Sequence, residues 1–280
     1  MKVLLTLAIS GAALLGQTPP PAKSAAPATG AATKTGTATK TGTATKTGAA
    51  RPNPLMNPAA LKAVAPELYR VKFTTTKGDF VVEVHRDWAP LGADRFYNLV
   101  KNRFFTDASF FRIVPNFIVQ FGMPANPAIN TVWEKATIKD DPVKQSNKPG
   151  TVVFAKTGAP NSRTTQFFIN LKDNGASLDG QGFAPFGTIT EGMDVVNKLY
   201  TGYGEGSDMG GRGPTQERIA KEGKPYLDKS FPLLDSIKSA VVIFPEPTTA
   251  PPAKKAAPAA TKTGAPATKA AAPAAAPKKQ

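Results

Sequence analysis

Hydrophobic and polar positions alternate over short stretches in the middle of the chain. Residues 69–75 and 80–84 each follow this pattern, and the polar residues 76–79 between them form a turn signal, so a β-hairpin is predicted. Further short apolar segments, typical of buried strands, occupy residues 110–121, 151–155, 166–171, 186–189 and 240–244. Many short strands with few helices indicate a mainly β barrel or sandwich.

Two segments have helical spacing instead. Residues 90–101 place apolar side chains on one side, and Pro90 stands at a permitted first-turn position. Residues 191–200 repeat that spacing. Residues 201–232 contain six glycines between positions 202 and 213 and then a charged stretch around residues 217–224, which predicts a surface loop followed by a short helix. No Gly-Lys-Ser/Thr sequence accompanies these glycines, so a structural loop is favoured over a phosphate site.

The two ends of the chain are built mainly from Ala, Pro, Thr, Lys and Gly. Residues 17–65, which contain three copies of a TKTGTA-like repeat, are predicted to be a disordered linker, and residues 245–280 a disordered tail. Such segments bury too little apolar surface to offset the entropy of ordering. Residues 66–244 are therefore the predicted folded domain.

The first sixteen residues have the form of a secretory signal peptide. Lys2 precedes an apolar run that ends near Gly16, and a Pro-rich polar stretch follows. The run is shorter than the ~20 residues that span a bilayer, so no membrane span is expected. We therefore expect export to the periplasm or the medium. No clear cleavage site follows the run, and a retained amphipathic N-terminus is the less favoured alternative.

The formal net charge of +15 comes mostly from the ends. Residues 1–52 and 245–280 hold twelve basic residues and one acid, whereas residues 53–244 hold 23 basic and 19 acidic residues, a net of +4. This distribution argues against a specific nucleic-acid-binding domain, although the tails could contact polyanions weakly. The chain has no cysteine and one histidine, His85, and its carboxylates lack ligand spacing, so neither a disulfide nor a metal site is expected.

Arg112 stands among apolar residues within the segment Ser109 to Gln120. A guanidinium does not lose its proton and is costly to bury without a partner. Two interpretations are open. Arg112 either faces an apolar ligand that carries a lone pair, such as a proline-containing peptide, or forms a structural ion pair.

Several motifs resemble those of the cyclophilins, a family of peptidyl-prolyl cis-trans isomerases. In chain order they are Phe110-Phe111-Arg112-Ile113-Val114-Pro115-Asn116-Phe117-Ile118-Val119-Gln120, residues 158–169, Leu178-Asp179-Gly180, Phe186-Gly187 and residues 191–196. Weaker similarity covers roughly residues 69–244. The resemblance implies a closed eight-stranded antiparallel barrel capped by two helices, with a substrate groove on the outer face of the barrel.

The resemblance also implies residue roles. Arg112 would be the catalytic residue, and no cofactor would be needed. Gln120 and Gln166 would bind the peptide backbone. The remaining substrate-binding residues would be Phe111, Phe117, Ile118, Phe168, Leu178 and Phe183. Taken alone, each of these apolar residues would be read as ordinary core.

Some positions depart from the family pattern. Phe111 stands where many members have histidine, and an insertion leaves open whether Lys156 or Thr157 makes the backbone contact. Ser177 stands where eukaryotic members often have the tryptophan that favours cyclosporin binding, so weak sensitivity to cyclosporin is expected.

Taken together, the sequence predicts a monomeric, exported isomerase that assists protein folding. Its partners would be unfolded or loop-exposed proline-containing polypeptides. The alternatives are a non-catalytic proline-peptide-binding module and an envelope scaffold that acts through the basic tails.

Overall fold

The computed structural model describes residues 52–243. The predicted signal peptide, the TKTGTA-like repeats, Phe244 and the C-terminal tail lie outside these residues.

Eight antiparallel strands form one strongly curled sheet. In spatial order they run β3-β4-β6-β5-β7-β2-β1-β8. Their bounds are β1 Leu68–Thr75, β2 Asp79–His85, β3 Arg112–Val114, β4 Ile118–Phe121, β5 Thr151–Phe154, β6 Phe167–Asn170, β7 Pro185–Glu191 and β8 Ile237–Ile243. The predicted mainly β architecture is confirmed.

Backbone hydrogen bonds beside the two edge strands, β3 and β8, join the two ends of the sheet. The N–H of Asp107 donates to the carbonyl of Ile237 at 2.8 Å, and the N–H of Ile237 donates to Ala108 at 2.9 Å. Ser109 and Ser236 form an antiparallel bridge next to them. These contacts join the segment before β3 to the start of β8, so the sheet meets itself in the barrel arrangement that the motifs imply.

Alternation along the strands separates an inner from an outer set of side chains. The inner set is dominated by phenylalanine, and it fills the barrel as one cluster that includes Phe73, Phe80, Phe96, Phe105, Phe110, Phe121, Phe154, Phe167 and Phe186. In β4 and β6 the outer residues are buried as well. Burial on both faces explains why these strands read as nearly continuous apolar runs.

Within residues 52–243, six α-helices accompany the sheet. They are α1 Pro90–Lys101, α2 Pro127–Trp133, α3 Gly175–Leu178, α4 Met193–Asn197, α5 Gln216–Glu222 and α6 Lys224–Ser230. The bounds of α1 are those predicted, and this helix packs Phe96 and Leu99 into the barrel cluster. None of the helices within residues 52–243 combines the length and apolarity needed to cross a bilayer.

Local backbone chemistry accounts for the differences from prediction. Residues 110–121 form the β3–β4 hairpin and not one extended segment, because Pro115 interrupts the pairing and Asn116 adopts a positive φ of 57°. The helix expected at 191–200 covers only α4, since Glu191 belongs to β7 and Gly192 takes a left-handed conformation. Helix α2 was not predicted, although Asn126 caps it and Pro127 opens it. Two short helices, α5 and α6, stand where one was expected.

The segment before Pro66, which the sequence places in the linker, packs on the domain. Residues 54–56 and 58–60 form 3-10 turns, and the carbonyl of Leu55 accepts from the indole N–H of Trp133 at 2.8 Å. The side-chain amide of Asn98 binds both the N–H and the carbonyl of Ala63. These contacts hold the segment in place on the domain.

Candidate functional site

A row of outward-facing residues crosses four neighbouring strands. In the register of the sheet Arg112 pairs with Gln120, Gln120 with Phe168, and Phe168 with Val153. Because paired residues on one face lie side by side, the row places a cation, an amide and apolar side chains next to one another. The row therefore lies on the outer face of the barrel, where the resemblance places the substrate groove.

An apolar cluster adjoins this row. Its buried members are Ile118, Val153, Ala155, Phe168, Leu178 and Phe183, and the half-buried Phe117 packs against them. The rings of Phe168 and Phe183 meet edge to face, with centroids 5.7 Å apart. The cluster is separate from the barrel interior. Of the apolar residues expected to bind substrate, it brings together Phe117, Ile118, Phe168, Leu178 and Phe183, but not Phe111.

Arg112 lies at the edge of the cluster and is only 3% exposed. Its guanidinium carbon is 6.0 Å from the ring centroid of Phe117. Its Nη1 donates to Oε1 of Gln120 at 2.9 Å, and Nε2 of Gln120 donates to Oε1 of Gln166, also at 2.9 Å. The two glutamines and Arg112 thus form one hydrogen-bonded chain.

Glu205 completes the chain and was not predicted from the sequence. Its carboxylate accepts from Nε of Arg112 and, at 2.7 Å, from Nη2. Glu205 belongs to a segment that we call the glycine loop (residues 202–213), 93 positions from Arg112. Of the two interpretations left open for Arg112, the ion pair is present, and it lies beside Phe117 and the pocket. The one signal that could have pointed to Glu205 from the sequence is that a buried guanidinium needs an opposite charge.

Phe111 does not join the pocket. Its side chain packs with Met123 and with residues of α5 and α6, namely Ile219, Tyr226 and Leu227. Phe111, assigned to the substrate-binding residues, thus lies under these helices in a cluster apart from Phe168 and Leu178, and its contact with the substrate stays a prediction.

Comparisons with known proteins agree with this geometry. Residues 70–221 match the model of the cyclophilin type peptidyl-prolyl cis-trans isomerase family. The chain belongs to this family.

Individual relatives support the assignment of this cyclophilin. A peptidyl-prolyl cis-trans isomerase of Acinetobacter baylyi is 38% identical over 138 residues, which are 46% of this chain and 70% of the relative. Peptidyl-prolyl cis-trans isomerase B of Escherichia coli is 35% identical over 136 residues, 46% of this chain and 82% of the relative. The protein is a peptidyl-prolyl cis-trans isomerase, and its substrates are proline-containing peptides.

Buried amides hold the far wall of the cyclophilin pocket. The side-chain N–H of Asn147 donates to the carboxylate of Asp179 at 2.7 Å and to the carbonyl of Phe183 at 2.9 Å. Burial acts to raise the pKa of the Asp179 carboxyl, but hydrogen bonds from Asn147 and Ser146 outweigh burial and lower that pKa below 3.8. The network ties the loop that carries Leu178 and Phe183 to the barrel.

The positions that depart from the family pattern also have defined places. The N–H of Thr157 already donates to Oγ of Ser162, whereas Lys156 extends its ammonium over the ring of Phe183 at 5.4 Å. Lys156 is thus the better candidate for the groove. Ser177 is exposed next to Leu178.

Among residues 52–243 no group of three potential metal ligands comes together. His85 stacks on Trp88, with ring centroids 4.1 Å apart, and contacts Glu83. These contacts fix the side chain of His85 at the end of β2.

Proposed function

We propose that Arg112 stabilises the twisted X–Pro bond while the apolar cluster holds the proline ring. An X–Pro bond has only a small preference for trans, but a barrier near ~20 kcal/mol separates its isomers because twisting breaks amide resonance. No bond is made or broken to a nucleophile in this reaction. A catalyst needs only to favour the twisted state over both planar states.

Arg112 is suited to that task because its free donors have a fixed direction. In the twisted state the prolyl nitrogen becomes pyramidal and regains a lone pair. A guanidinium has five N–H donors. Glu205 and Gln120 take three of them, and the other two can serve the substrate. Donors fixed in apolar surroundings stabilise developing charge without reorganisation.

The same chain sets the direction of the two amides. Because Arg112 only donates, Gln120 turns its oxygen towards Arg112 and its NH₂ group towards Oε1 of Gln166. The NH₂ group of Gln166 is left to donate at the groove. We assign it to a carbonyl of the substrate backbone, which would fix the peptide beside the pocket.

The pocket supplies the second requirement, a ring that stays still. Phe117, Ile118, Phe168, Leu178 and Phe183 pack into one apolar cluster, which would take the proline side chain. The observation that carries the proposal is the register pair Gln120–Phe168, which joins the polar chain directly to this surface.

The first testable prediction concerns Arg112→Ala in the full-length protein. We expect kcat/KM on a short X–Pro peptide to fall by about 100-fold or more, the cost of removing a preorganised donor. A protease-coupled isomerisation assay measures this change. Arg212→Ala, an exposed arginine of the glycine loop, is the control and should keep the wild-type rate. Equal rates for wild type and Arg112→Ala would refute the catalytic role and favour a binding module.

At the level of the cell, we propose that the isomerase assists the folding of exported proteins. The support is the charged start and apolar run of residues 1–16. Mass spectrometry of the mature N-terminus, combined with fractionation of the cells, tests the proposal. An intact N-terminus on protein that stays inside the cell would contradict it.

A further inference from the structure

The glycines of the glycine loop allow it to fold tightly around Glu205. The N–H of Gly213 donates to the carbonyl of Glu205 at 2.7 Å. A Cβ at Gly213 would come within 2.9 Å of that oxygen, and a Cβ at Gly211 would overlap it. Larger residues are therefore excluded at both positions, and the glycines fix the backbone that carries the carboxylate.

The end of the loop is anchored beside Arg112. Helices α5 and α6 follow it directly and pack Ile219, Tyr226 and Leu227 against Phe111. Phe111 is the chain neighbour of Arg112. The segment from the glycine loop to α6 thus covers Phe111 with apolar side chains and pairs Arg112 with a carboxylate.

The geometry of the ion pair is specific. Glu205 binds the Nε–Nη2 edge of the guanidinium with both oxygens, and Oε1 accepts in addition from the N–H of Gly206 at 3.1 Å. Bidentate pairs of this kind fix the plane of the guanidinium. One N–H of Nη1 and one of Nη2 take no part in the hydrogen bonds to Glu205 and Gln120.

A means of holding Arg112 is needed because a long arginine side chain would otherwise sample many rotamers, and fixing it costs conformational entropy. With Gln120 on Nη1 and Glu205 on the opposite edge, one orientation is selected before the substrate arrives.

We propose that Glu205 is a positioning residue for the isomerisation, presented by the glycine loop to hold Arg112 in its productive orientation. The inference rests on the proposed catalytic role of Arg112. It assigns a function to the glycine loop, which the pocket residues alone leave unexplained.

The experiment compares Glu205→Gln and Glu205→Ala in the full-length protein, each with and without Arg112→Ala. Gln has nearly the shape of Glu, so this variant guards against a folding defect. We expect kcat/KM to fall about tenfold to 100-fold in the order Glu, Gln, Ala, since small misplacement of a catalytic group has effects of this size. In the Arg112→Ala background the same changes should alter the rate less than twofold. Asp208→Asn, an exposed acid of the same loop, is the matched control and should keep the wild-type rate.

Two spectroscopic readouts separate positioning from simple structural support. In NMR exchange experiments the peptide Kd should change less than about threefold while isomerisation of the bound peptide slows by the full factor. The Arg112 Nε–H resonance should be protected from exchange in the wild type and lose that protection in Glu205→Ala.

The outcomes are distinct. Loss of activity that depends on Arg112 supports the inference. An unchanged rate in Glu205→Ala, alongside a slow Arg112→Ala, overturns it and leaves Glu205 as a neutralising charge only. A faster Glu205→Ala also overturns it, because the loop would then be an inhibitory cover. If Arg112→Ala itself keeps the wild-type rate, the catalytic role proposed for Arg112 fails, and the inference fails with it.

Discussion

Asp179 shows how one carboxylate can stabilise the pocket without touching the substrate. It accepts the N–H and the side-chain amide of Asn147, which in turn binds the carbonyl of Phe183. Hydrogen bonds to a charged acceptor are stronger than neutral ones. The pocket wall therefore depends on the charge state of Asp179.

The variant Asp179→Asn tests this dependence. We expect a loss of about 1–2 kcal/mol of unfolding free energy at pH 7, the worth of weakened charge-assisted hydrogen bonds. Because the folded-state pKa lies below the ordinary value of 3.8, the stabilisation is present above pH 3.8 and is lost as the pH falls through the folded pKa. Urea titrations at pH 7 and pH 3 measure it. A stability gap that is equally large at both values would contradict the assignment.

Ser177 leads to a prediction about inhibition. The residue is exposed at the rim of the pocket, where the resemblance to cyclophilins places a tryptophan in sensitive members. Without that large apolar ring the protein should bind cyclosporin weakly, and Ser177→Trp should bind it more tightly than wild type does. Inhibition of the wild type at nanomolar cyclosporin would disprove the prediction.

At the scale of single residues, motifs brought out side chains that lie together where they belong to the sheet, as Arg112, Gln120 and Phe168 do. Glu205 was missed because its partner is 93 positions away and no spacing rule joins a loop to a distant strand. The packing of Phe111 under α5 and α6 was missed as well, because a motif position does not show which later helices cover it.

At the scale of elements, helix α1 is capped from a distant part of the chain. Ala89 provides no side-chain cap, and the carboxylate of Asp141 instead accepts the N–H groups of Leu91 and Gly92. The same carboxylate pairs with the buried Arg163 at 3.0 Å. Asp141 thus binds both the start of α1 and the buried positive charge of Arg163, which needs a negative partner.

Asp141→Asn should therefore be costly. We expect a loss of about 3 kcal/mol or more, since breaking a buried pair leaves an uncompensated charge. Chemical denaturation measures the change. The neighbouring Asp140→Asn is the control; Asp140 is exposed and lies farther from Arg163, at 3.4 Å, so its loss should stay below about 1 kcal/mol. Similar losses in both variants would contradict this account.

Two adjacent residues of the segment before Pro66, Leu55 and Met56, differ in burial and allow a second comparison of stability. Leu55 is 5% exposed and Met56 is 47% exposed. Leu55→Ala should cost about 2–3 kcal/mol, as for other buried leucines, and Met56→Ala less than about 0.5 kcal/mol. Thermal or urea unfolding of the full-length variants decides the matter. Equal stabilities would mean that residues before Pro66 add nothing to the domain.

Elements with strong periodicity were the easiest to predict. Helix α1 was found with its bounds because one face is apolar and Pro90 opens it. Helix α2 and the segment 54–60 are short and depend on contacts such as that between Trp133 and Leu55, which local sequence does not show.

At the scale of the whole molecule, charge and catalysis occupy different parts of the chain. Residues 53–244 carry a net charge of +4, whereas the remaining residues carry the larger share of the +15. The proposed isomerase site involves Arg112 and Glu205, whose charges cancel. Activity on a neutral peptide should therefore not depend on the basic ends.

Deleting residues 1–51 and 245–280 tests this separation. We expect kcat/KM on a short peptide to stay within twofold of the full-length value, while salt-sensitive retention on a polyanion column is lost. Retention that persists in the shortened protein would place the polyanion contact on the domain instead.

The seam between residues 107–110 and 235–237 also constrains how the molecule is made. On a ribosome the nascent chain presents β1 to β7 before β8 exists, yet β8 supplies one partner of the seam and pairs with residues 70–75 of β1. Until that last strand emerges, β1 has an unpaired edge, and the barrel remains open. Because the closing contacts join distant positions, we expect assembly to finish late and slowly, so this isomerase would be exposed during its own synthesis to the aggregation that open strand edges promote.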